Sequence, residues 1–414
     1  MKSSEVGTAI LVTLWGSSSW LSINAVWMEA PLLIETEPEK WHLPSYVALI
    51  VQLGSIGALV YGLLATNNRT TINAPKAPII LVYMAAATIL TVSLAVFWPV
   101  NAWIFSAKHS AALLVIVFGL AVFSATSNVL FVPHLSEFHA SLVPAYFVGM
   151  GLSALLPSVT SLIQGAGDQT CVTLNKTVIV NHTESRTNDT LTQPRYIPPL
   201  FDVRTFFLIA AGWLLLATVA FLLLTLSHRK KNRSLSSIVG VKSTTTDIND
   251  DVVADTANEK AYAALPYNQL TYHLTVSLGN AAQPVGTMPA IWLNSATSPS
   301  KLTSIYRQLT ALTVLVSLAC FYVLLLAAMS PSPLLVNNWT GSALVIAANI
   351  IAMGLLAYLR TAVASVFRSD LAARNDQRLF WFGASSQIGA VIGALVIFPL
   401  INVFSLFERP HFCD

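Results

Sequence analysis

Long apolar runs separated by polar connections constrain the fold of this chain more than any other feature. A helix crosses a bilayer with about 20 consecutive apolar residues. Runs of this kind lie at 8–28, 45–65, 77–98, 109–131, 143–165, 204–227, 306–329, 341–366 and 379–403. Because backbone polar groups in lipid must be satisfied within the segment, such a chain folds as helices. The sequence therefore predicts an all-α polytopic membrane protein.

A further window at 267–292 is less apolar than these runs. Its polar and helix-breaking residues are Asn268, Gln269, His273, Asn280, Gln283 and Pro284. The segment 229–264 before it is polar, rich in Ser, Thr and Asp and poor in aromatic residues, as flexible linkers are. We therefore predict two membrane halves, 1–228 and 265–414, joined by a cytoplasmic linker at 229–264.

The low charge of the chain narrows its function. Charged residues make up 10% of it, against roughly 25% in ordinary soluble domains. No run of like charge indicates nucleic-acid binding, so the predicted partners include membrane lipids but no nucleic acid. The signatures of metalloproteases, phosphate-binding loops and Ser-His-Asp enzymes are missing, and we predict neither an enzyme nor a bound cofactor or metal. His134 and His139 fall in a short loop, and we interpret them as solvated.

Basic residues and glycosylation sequons predict the orientation. The cluster Arg229-Lys230-Lys231 follows the sixth run and is expected in the cytoplasm, as is the N-terminus. The loop 166–203 is then extracellular. It contains three sequons, and a fourth lies further along the chain on the same side. The predicted glycosylation sites are Asn175, Asn181, Asn188 and Asn338.

In the second half, the number of apolar segments conflicts with the side of the membrane that the basic residues predict. Arg368, Arg374 and Arg378 also predict a cytoplasmic position, and two strong runs, 306–329 and 341–366, separate them from the linker. Those two runs already return the chain to the cytoplasm. Either the window 267–292 does not cross the membrane, or a second crossing beside it is absent from this chain.

Polar and aromatic residues share one face of the first run. Ser17, Trp20, Asn24 and Trp27 recur at spacings of three, four and three. A ligand site is one interpretation, since indoles stack on flat rings and an amide both donates and accepts. Helix–helix contact, with Trp27 as an interfacial anchor, is the other. Glu29 is expected to face water at the outer end.

Other candidate polar groups lie on later runs. Gln52 is on the second, and Thr126 and Asn128 are on the fourth. Arg360 lies inside the eighth, where we expect it to extend to the lipid headgroups, a substrate or gating role being the alternative. Cys171 and Cys413 both fall on the oxidising side, which allows a disulfide without establishing one.

Several longer motifs are distinctive. They are Ile23-Asn-x-x-Trp-x-Glu-x-Pro-Leu-Leu33, Trp41-x-Leu-Pro-Ser-Tyr46, Tyr146-Phe-Val-Gly-x-Gly-Leu-Ser-x-Leu-Leu-Pro157, Met329-Ser-Pro-x-Pro-Leu-Leu335 and Phe398-Pro-Leu-x-Asn-Val403. Together they resemble the eukaryotic riboflavin transporters. The resemblance runs from about residue 10 to the C-terminus, apart from the linker and the loop 166–203.

This resemblance implies uptake of riboflavin across the plasma membrane. It implies a fold of six plus five helices, similar to the equilibrative nucleoside transporters, working by rocking of two halves around a midplane site. Riboflavin has a flat ring that stacks on Trp, a uracil-like edge that amides can read and hydroxyls for polar side chains. The substrate-binding residues that we predict are Trp20, Asn24, Trp27, Gln52, Thr126, Asn128 and Tyr146.

This chain departs from the family pattern at three places. Met150 stands where the family usually has Glu, and Ser332 stands where vertebrate members have Cys, which removes the usual partner of Cys413. Leu265-Pro-Tyr resembles the approach to the family's eighth helix, yet the seventh helix that should follow Glu259-Lys260 is missing. We therefore expect six plus four helices. A non-transporting membrane receptor or regulator, or a transport-deficient isoform, is the alternative to a working transporter.

Overall fold

The computed structural model is mostly helical. It describes residues 3–67, 76–104, 107–135, 138, 142–165, 169–175, 178–180, 183–185, 190–196, 198–236, 267, 269–289, 299–329, 332–336, 338–369, 389, 391–396 and 398–400. Within these residues, six helices are long and apolar enough to cross a membrane, and a bent pair at the N-terminus makes a seventh when it is counted as one span. The expectation of a multi-pass helical membrane protein is confirmed.

Seven α-helices lie in the described part of the first half of the molecule. They are α1 (Ser3–Gly16), α2 (Leu21–Thr36), α3 (Leu43–Asn67), α4 (Lys76–Phe97), α5 (Ala111–Leu135), α6 (Val143–Gln164) and α7 (Val203–Ser236). The apolar part of α7 ends at His228, but the helix continues through the basic cluster into the predicted linker. We call the side of the bundle at which α1 begins the near side and the opposite side the far side.

The first apolar run is broken, where we predicted one helix. α1 and α2 meet at an angle of 52° across residues 17–20. The hydroxyls of Ser17, Ser18 and Ser19 donate to the carbonyls of Leu14, Trp15 and Gly16 over 2.7–2.9 Å. These hydroxyls donate to carbonyls next to the break, so Leu14, Trp15 and Gly16 keep hydrogen-bond donors inside the membrane.

Close contact between α1 and α6 accompanies this break. Gly149 of α6 lies against the backbone of Thr13, and Gly16 of α1 lies against the backbone of Tyr146, so a methyl group at either glycine would clash. The Thr13 hydroxyl donates to the carbonyl of Ala145 over 3.1 Å. Small residues allow helix backbones in membranes to approach this closely.

An aromatic cluster fills the near-side part of the first half. Trp15 lies at ring-centroid distances of 4.9 Å from Phe221, 5.3 Å from Phe131 and 5.3 Å from Tyr146. His134 packs on the same indole at 5.8 Å and is buried. The prediction of a solvated His134 is therefore wrong, because α5 continues one turn past Phe131 and carries the imidazole into this cluster.

Helices α8 (Gln269–Thr287), α9 (Pro299–Ala328) and α10 (Trp339–Ser369) form the described second half, with a short helical stretch within 391–400. α8 packs between α6 and α10. Its polar groups are satisfied there: the Asn349 amide of α10 donates to the carbonyl of Thr275 over 2.6 Å, and the Thr287 hydroxyl donates to that of Pro284. The window 267–292 thus has polar contacts with α10, within α8 itself and, through Asn280, with α6.

The direction of α8 bears on the missing crossing. Asn280 contacts Ser158 and Pro284 contacts Gly151, so α8 runs antiparallel to α6, from the far side to the near side. At its start, the Tyr267 hydroxyl donates to the carbonyl of Leu334 over 2.7 Å, in the connection between α9 and α10. The chain thus leaves α7 on the near side and enters α8 on the far side. The window 267–292 does run across the bundle, which favours the second explanation of the charge pattern.

Short strands add to the predicted all-helical fold outside the membrane helices. β1 (Ala102–Ile104) pairs with β2 (Ala107–His109) on the far side, between α4 and α5. In the loop between α6 and α7, β3 (Gln169–Asn175) pairs with β6 (Thr190–Tyr196), and β4 (Val178–Val180) pairs with β5 (Thr183–Ser185). Asn338 is exposed. Asn181, Asn188, Cys413 and the side chains of Asn175 and Cys171 lie outside the described residues.

Candidate functional site

Helix α6 belongs to the first half and packs against helices of both halves. α1 and α2 pack on one side of it, and α8 and α10 pack on another. Because the strongest polar contacts between the halves also lie along α6, the candidate site is built from this helix outward.

Two hydrogen bonds join the predicted stripe of α2 to neighbouring helices. The indole nitrogen of Trp20 donates to Asn128 Oδ1 over 3.4 Å, and Asn24 Nδ2 donates to Ser153 Oγ over 3.3 Å. Asn128 and Ser153 are buried, while Trp20 and Asn24 are partly exposed. An indole face and an amide thus lie next to each other at the edge of the junction between the halves.

The second half contributes amides that contact α6 at Ser158, where α2 also reaches this helix. Asn280 Nδ2 donates to Ser158 Oγ over 2.7 Å, and Gln283 Nε2 lies 3.3 Å from Asn280 Oδ1. Ser158 Oγ also lies 3.3 Å from Met28 Sδ, which links α2, α6 and α8 at one point. We had noted the amides as polar residues of a weak window without assigning them to the site, and their helical spacing alone could not show that they face α6.

Four of the seven predicted substrate-binding side chains pack in the interior of the first half. Trp27 belongs to the hydrophobic core that α2 shares with α3 and α5, and Tyr146 belongs to the aromatic cluster around Trp15. The Thr126 hydroxyl faces Gly57 of α3, and Gln52 is buried. One polar atom of each of these four side chains has no hydrogen-bond partner in the described structure. Such groups are where ordered water or a polar ligand atom binds.

Glu29 is fully buried, whereas we expected it to face water. It lies on α2 within reach of Gln164 of α6, whose amide donates to the carbonyl of Phe201 over 3.0 Å. α6 and the start of α7 therefore cover the carboxyl group.

The Glu39 carboxylate joins the β1–β2 hairpin to the far-side connection between α2 and α3. Glu39 accepts hydrogen bonds from the backbone nitrogen and the hydroxyl of Ser110, each over 2.8 Å, and pairs with His109 Nδ1 at 3.1 Å. Burial and the charge of Glu39 raise the pKa of the neighbouring Glu37 to about 7, against the opposite influences of Lys108 and Asn101. We call these contacts the far-side clamp.

Tyr46 connects the far-side clamp with the second half. Its ring lies 6.5 Å from the His109 imidazole and 5.9 Å from the ring of Phe398, both edge-on. Movement of the 398–400 segment relative to α3 would change this contact.

The side chains of this arrangement are suited to non-covalent binding of a ligand. Among the described residues, no group of three or more His, Cys, Asp or Glu side chains is placed to hold a metal ion. Aromatic faces, amides and hydroxyls from α2, α5, α6 and α8 suit a flat, neutral, hydrogen-bonding ligand.

Comparison with known proteins gives a family. The sequence profile of "Solute carrier family 52, riboflavin transporter" matches this chain in two segments, residues 4–260 and 256–409. The two segments meet where we expected a helix to be missing.

Curated relatives match nearly the whole chain. The riboflavin transporter rft-1 of Caenorhabditis elegans is 35% identical over 451 aligned positions, which cover 98% of each protein. Member 3 of the same solute carrier family is 30% identical in both Ailuropoda melanoleuca and Homo sapiens, again covering 98% of each. The alignment to rft-1 is longer than the 414 residues of this chain, so that relative contains residues that this chain lacks.

Solved transporter structures show only a distant likeness. One is a bacterial homologue of the iron transporter ferroportin, with a TM-score of 0.47 and 14% identity, covering 96% of this chain and 91% of that one. Another is a variant of the nucleoside transporter NupG, with a TM-score of 0.49 and 10% identity, covering 99% and 93%. Likeness at this distance carries no argument about function or the number of helices.

Proposed function

The chain belongs to the solute carrier family 52 of riboflavin transporters, and we propose that it carries riboflavin into cells across the plasma membrane by alternating access. In this proposal residues 1–228 and 265–414 rock against each other around α6. Relatives that are named riboflavin transporters align with this chain over nearly their whole length, which supports riboflavin as the substrate.

The observation that carries the proposal is the pair of contacts of α2 at the junction. The Trp20 indole can stack on an isoalloxazine ring, and Asn24 can read its uracil-like edge with one donor and one acceptor. Both side chains are held by hydrogen bonds to Asn128 and Ser153, so they are oriented before a ligand arrives. Such preorganisation lowers the entropy cost of binding.

Uptake of labelled riboflavin by riboflavin-starved cells tests the proposal. Cells that express the chain should take up more label than mock cells, and unlabelled riboflavin should compete. Asn24→Ala should weaken riboflavin binding by about 1–3 kcal/mol, up to roughly a hundredfold in affinity, with surface expression unchanged. Ser93→Ala is the matched control, because that exposed hydroxyl bonds only to its own helix.

Two results would contradict this assignment. Uptake equal to that of mock cells would refute transport by this chain. Unchanged transport per surface molecule in Asn24→Ala would mean that Asn24 only joins α2 to α6 and that the ligand binds elsewhere.

We further propose that the near side faces the cytoplasm and the far side faces the exterior. The basic cluster at Arg229-Lys230-Lys231 on the near side and the sequons in the loop 166–203 on the far side support this orientation. Replacing Asn175, Asn181 and Asn188 together with Gln should abolish a glycosidase-sensitive gel shift. A shift that persists in the triple variant would require another orientation, once Asn338→Gln has excluded the fourth sequon.

A second candidate function is that of a transport-deficient isoform or a non-transporting receptor. One observation favours it: α8 begins on the far side although α7 ends on the near side. A chain of this family without the connecting helix could bind riboflavin and still fail to move it. Binding of riboflavin by purified protein, without uptake by cells at equal surface expression, would identify this case.

A further inference from the structure

Arg360 of α10 is a basic side chain at the junction between the halves. One terminal nitrogen lies 3.7 Å from Met150 Sδ on α6, and Nε is buried without a hydrogen-bond partner. Among the described side chains, no carboxylate lies within ion-pairing distance of it. The guanidinium therefore extends across to α6, not along α10 to the lipid headgroups as we expected from the sequence.

Close helix packing fixes the position of this guanidinium. Gly151 of α6 lies against the backbone of Pro284, and Gly286 of α8 lies against the backbone of Gly354. Arg360 follows Gly354 by about 9 Å along the axis of α10, toward the near side. The arginine thus lies where α6, α8 and α10 approach one another, at the near-side end of the junction.

The described side chains around this guanidinium do not compensate its charge. A thioether is only a weak acceptor, and a charge removed from water needs a partner of opposite charge or several strong acceptors. Guanidinium groups bind phosphate and carboxylate oxygens through parallel, charge-assisted hydrogen bonds. Because Arg360 is partly exposed, such an anion can reach it.

Hydrogen bonds connect this position to the ligand contacts on α2. Ser153 Oγ donates to the carbonyl of Met150 over 2.6 Å and accepts from Asn24 Nδ2 over 3.3 Å. About one turn of α6, roughly 5.4 Å, therefore separates the Asn24–Ser153 pair from Met150. With a flavin ring at Trp20 and Asn24, the ribityl chain would be long enough to extend along that turn to Met150.

We propose that Arg360 forms an oxyanion-binding subsite, so that the junction binds a flavin phosphomonoester more tightly than riboflavin itself. The phosphate would bind the guanidinium beside Met150 while the ring occupies the contacts on α2. This inference rests on the proposed flavin site and adds a ligand class to it.

Binding of riboflavin and riboflavin 5′-phosphate to the purified full chain, followed by quenching of flavin fluorescence, tests the inference. The phosphate ester should bind at least about tenfold more tightly than riboflavin. Arg360→Gln should remove this difference and leave riboflavin affinity within about threefold. Met150→Glu should do the same, because it places a carboxylate against the guanidinium, whereas Met150→Leu should keep the preference.

The outcomes separate this inference from the proposed function. If riboflavin binds, but the ester binds no better and Arg360→Gln has no effect, the subsite is refuted and the transporter proposal stands. If neither flavin binds, the flavin site itself is refuted and the subsite with it. Protein in nanodiscs with and without anionic lipid identifies the source of the oxyanion: a preference for the ester that anionic lipid abolishes would show that a headgroup occupies Arg360 and would overturn the proposal.

Discussion

The amide of Asn280 on α8 donates to the hydroxyl of Ser158 on α6 over 2.7 Å, and this bond joins the second half of the molecule to the first. Ser158 is fully buried and also donates to the carbonyl of Ala154 in its own helix. The hydroxyl therefore serves as acceptor to the second half and donor within the first, so removing Asn280 takes the donor from a buried oxygen and removing Ser158 takes the acceptor from the Asn280 amide.

A double-mutant cycle on Asn280 and Ser158 should show coupling between the halves. Asn280→Ala and Ser158→Ala should each lower the free energy of unfolding by about 1–3 kcal/mol, and the double variant should lose less than the sum. Melting of the purified protein measures this. Ser317→Ala is the control, because that exposed hydroxyl bonds only within α9. Strict additivity of the two changes would show that the contact is not energetically significant.

Gly149 and Gly212 offer a matched pair of helical glycines. A methyl group at Gly149 would clash with the backbone of Thr13, whereas a methyl group at Gly212 of α7 would meet open space. Gly149→Ala should therefore destabilise the protein by about 1–3 kcal/mol, and Gly212→Ala should stabilise it by up to about 1 kcal/mol. Melting temperature and surface expression report the difference. Equal melting temperatures for the two variants would contradict the close approach of α1 and α6.

The far-side clamp should make stability depend on pH through Glu37. Burial and the nearby charge of Glu39 raise the pKa of Glu37 to about 7, above its ordinary value. The folded protein thus holds this proton more tightly than the unfolded chain, so the contribution is complete below the ordinary pKa and is lost as the pH rises through 7. The melting temperature should therefore fall as the pH rises from about 4.5 to about 7 and level off above that.

Two substitutions isolate this group from the others that titrate. Glu37→Gln cannot ionise and should flatten the pH dependence of melting between about pH 4.5 and about pH 7. Glu37→Asp keeps a carboxyl group and should retain it. An unchanged slope in Glu37→Gln would show that the pH dependence does not arise from Glu37.

The sequence predicts the helices of this protein better than it predicts which of their faces meet. Apolar runs locate the helices because the bilayer imposes their length. The break after Gly16 was not predictable from hydropathy, since it depends on serine hydroxyls that satisfy local carbonyls and on a close contact with α6.

The candidate site shows the same limit. Trp20 and Asn24 were identified by helical spacing and Asn128 as a polar group of the fourth run; the structure joins Trp20 to Asn128 and Asn24 to Ser153. Tyr146 was assigned through the family motif, but it packs on Trp15 in the aromatic cluster. The part played by Ser158 was missed because its partner, Asn280, lies in the other half and no local pattern announces such a contact.

The connection between α7 and α8 gives the last prediction. Ser236 is on the near side, and Tyr267 is on the far side. The segment between them carries charged residues at Lys242, Asp247, Asp250, Asp251, Asp255, Glu259 and Lys260. Each charge at the bilayer centre costs about 2.5–3.5 kcal/mol on insertion scales, so the charges in this part of the sequence oppose its insertion as a membrane helix.

Inserting the corresponding helix of a relative between Lys260 and Leu265 should therefore raise both surface expression and riboflavin uptake. The site is where the two family matches meet, at residues 256–260, and the added helix supplies the crossing that the direction of α8 requires. A polar Gly/Ser insert of equal length is the control, and it should raise neither quantity. Expression by surface labelling and uptake per surface molecule are measured in parallel. If the three chains express and transport equally, α8 must reach its place without a further crossing, as a re-entrant segment that enters and leaves on one side.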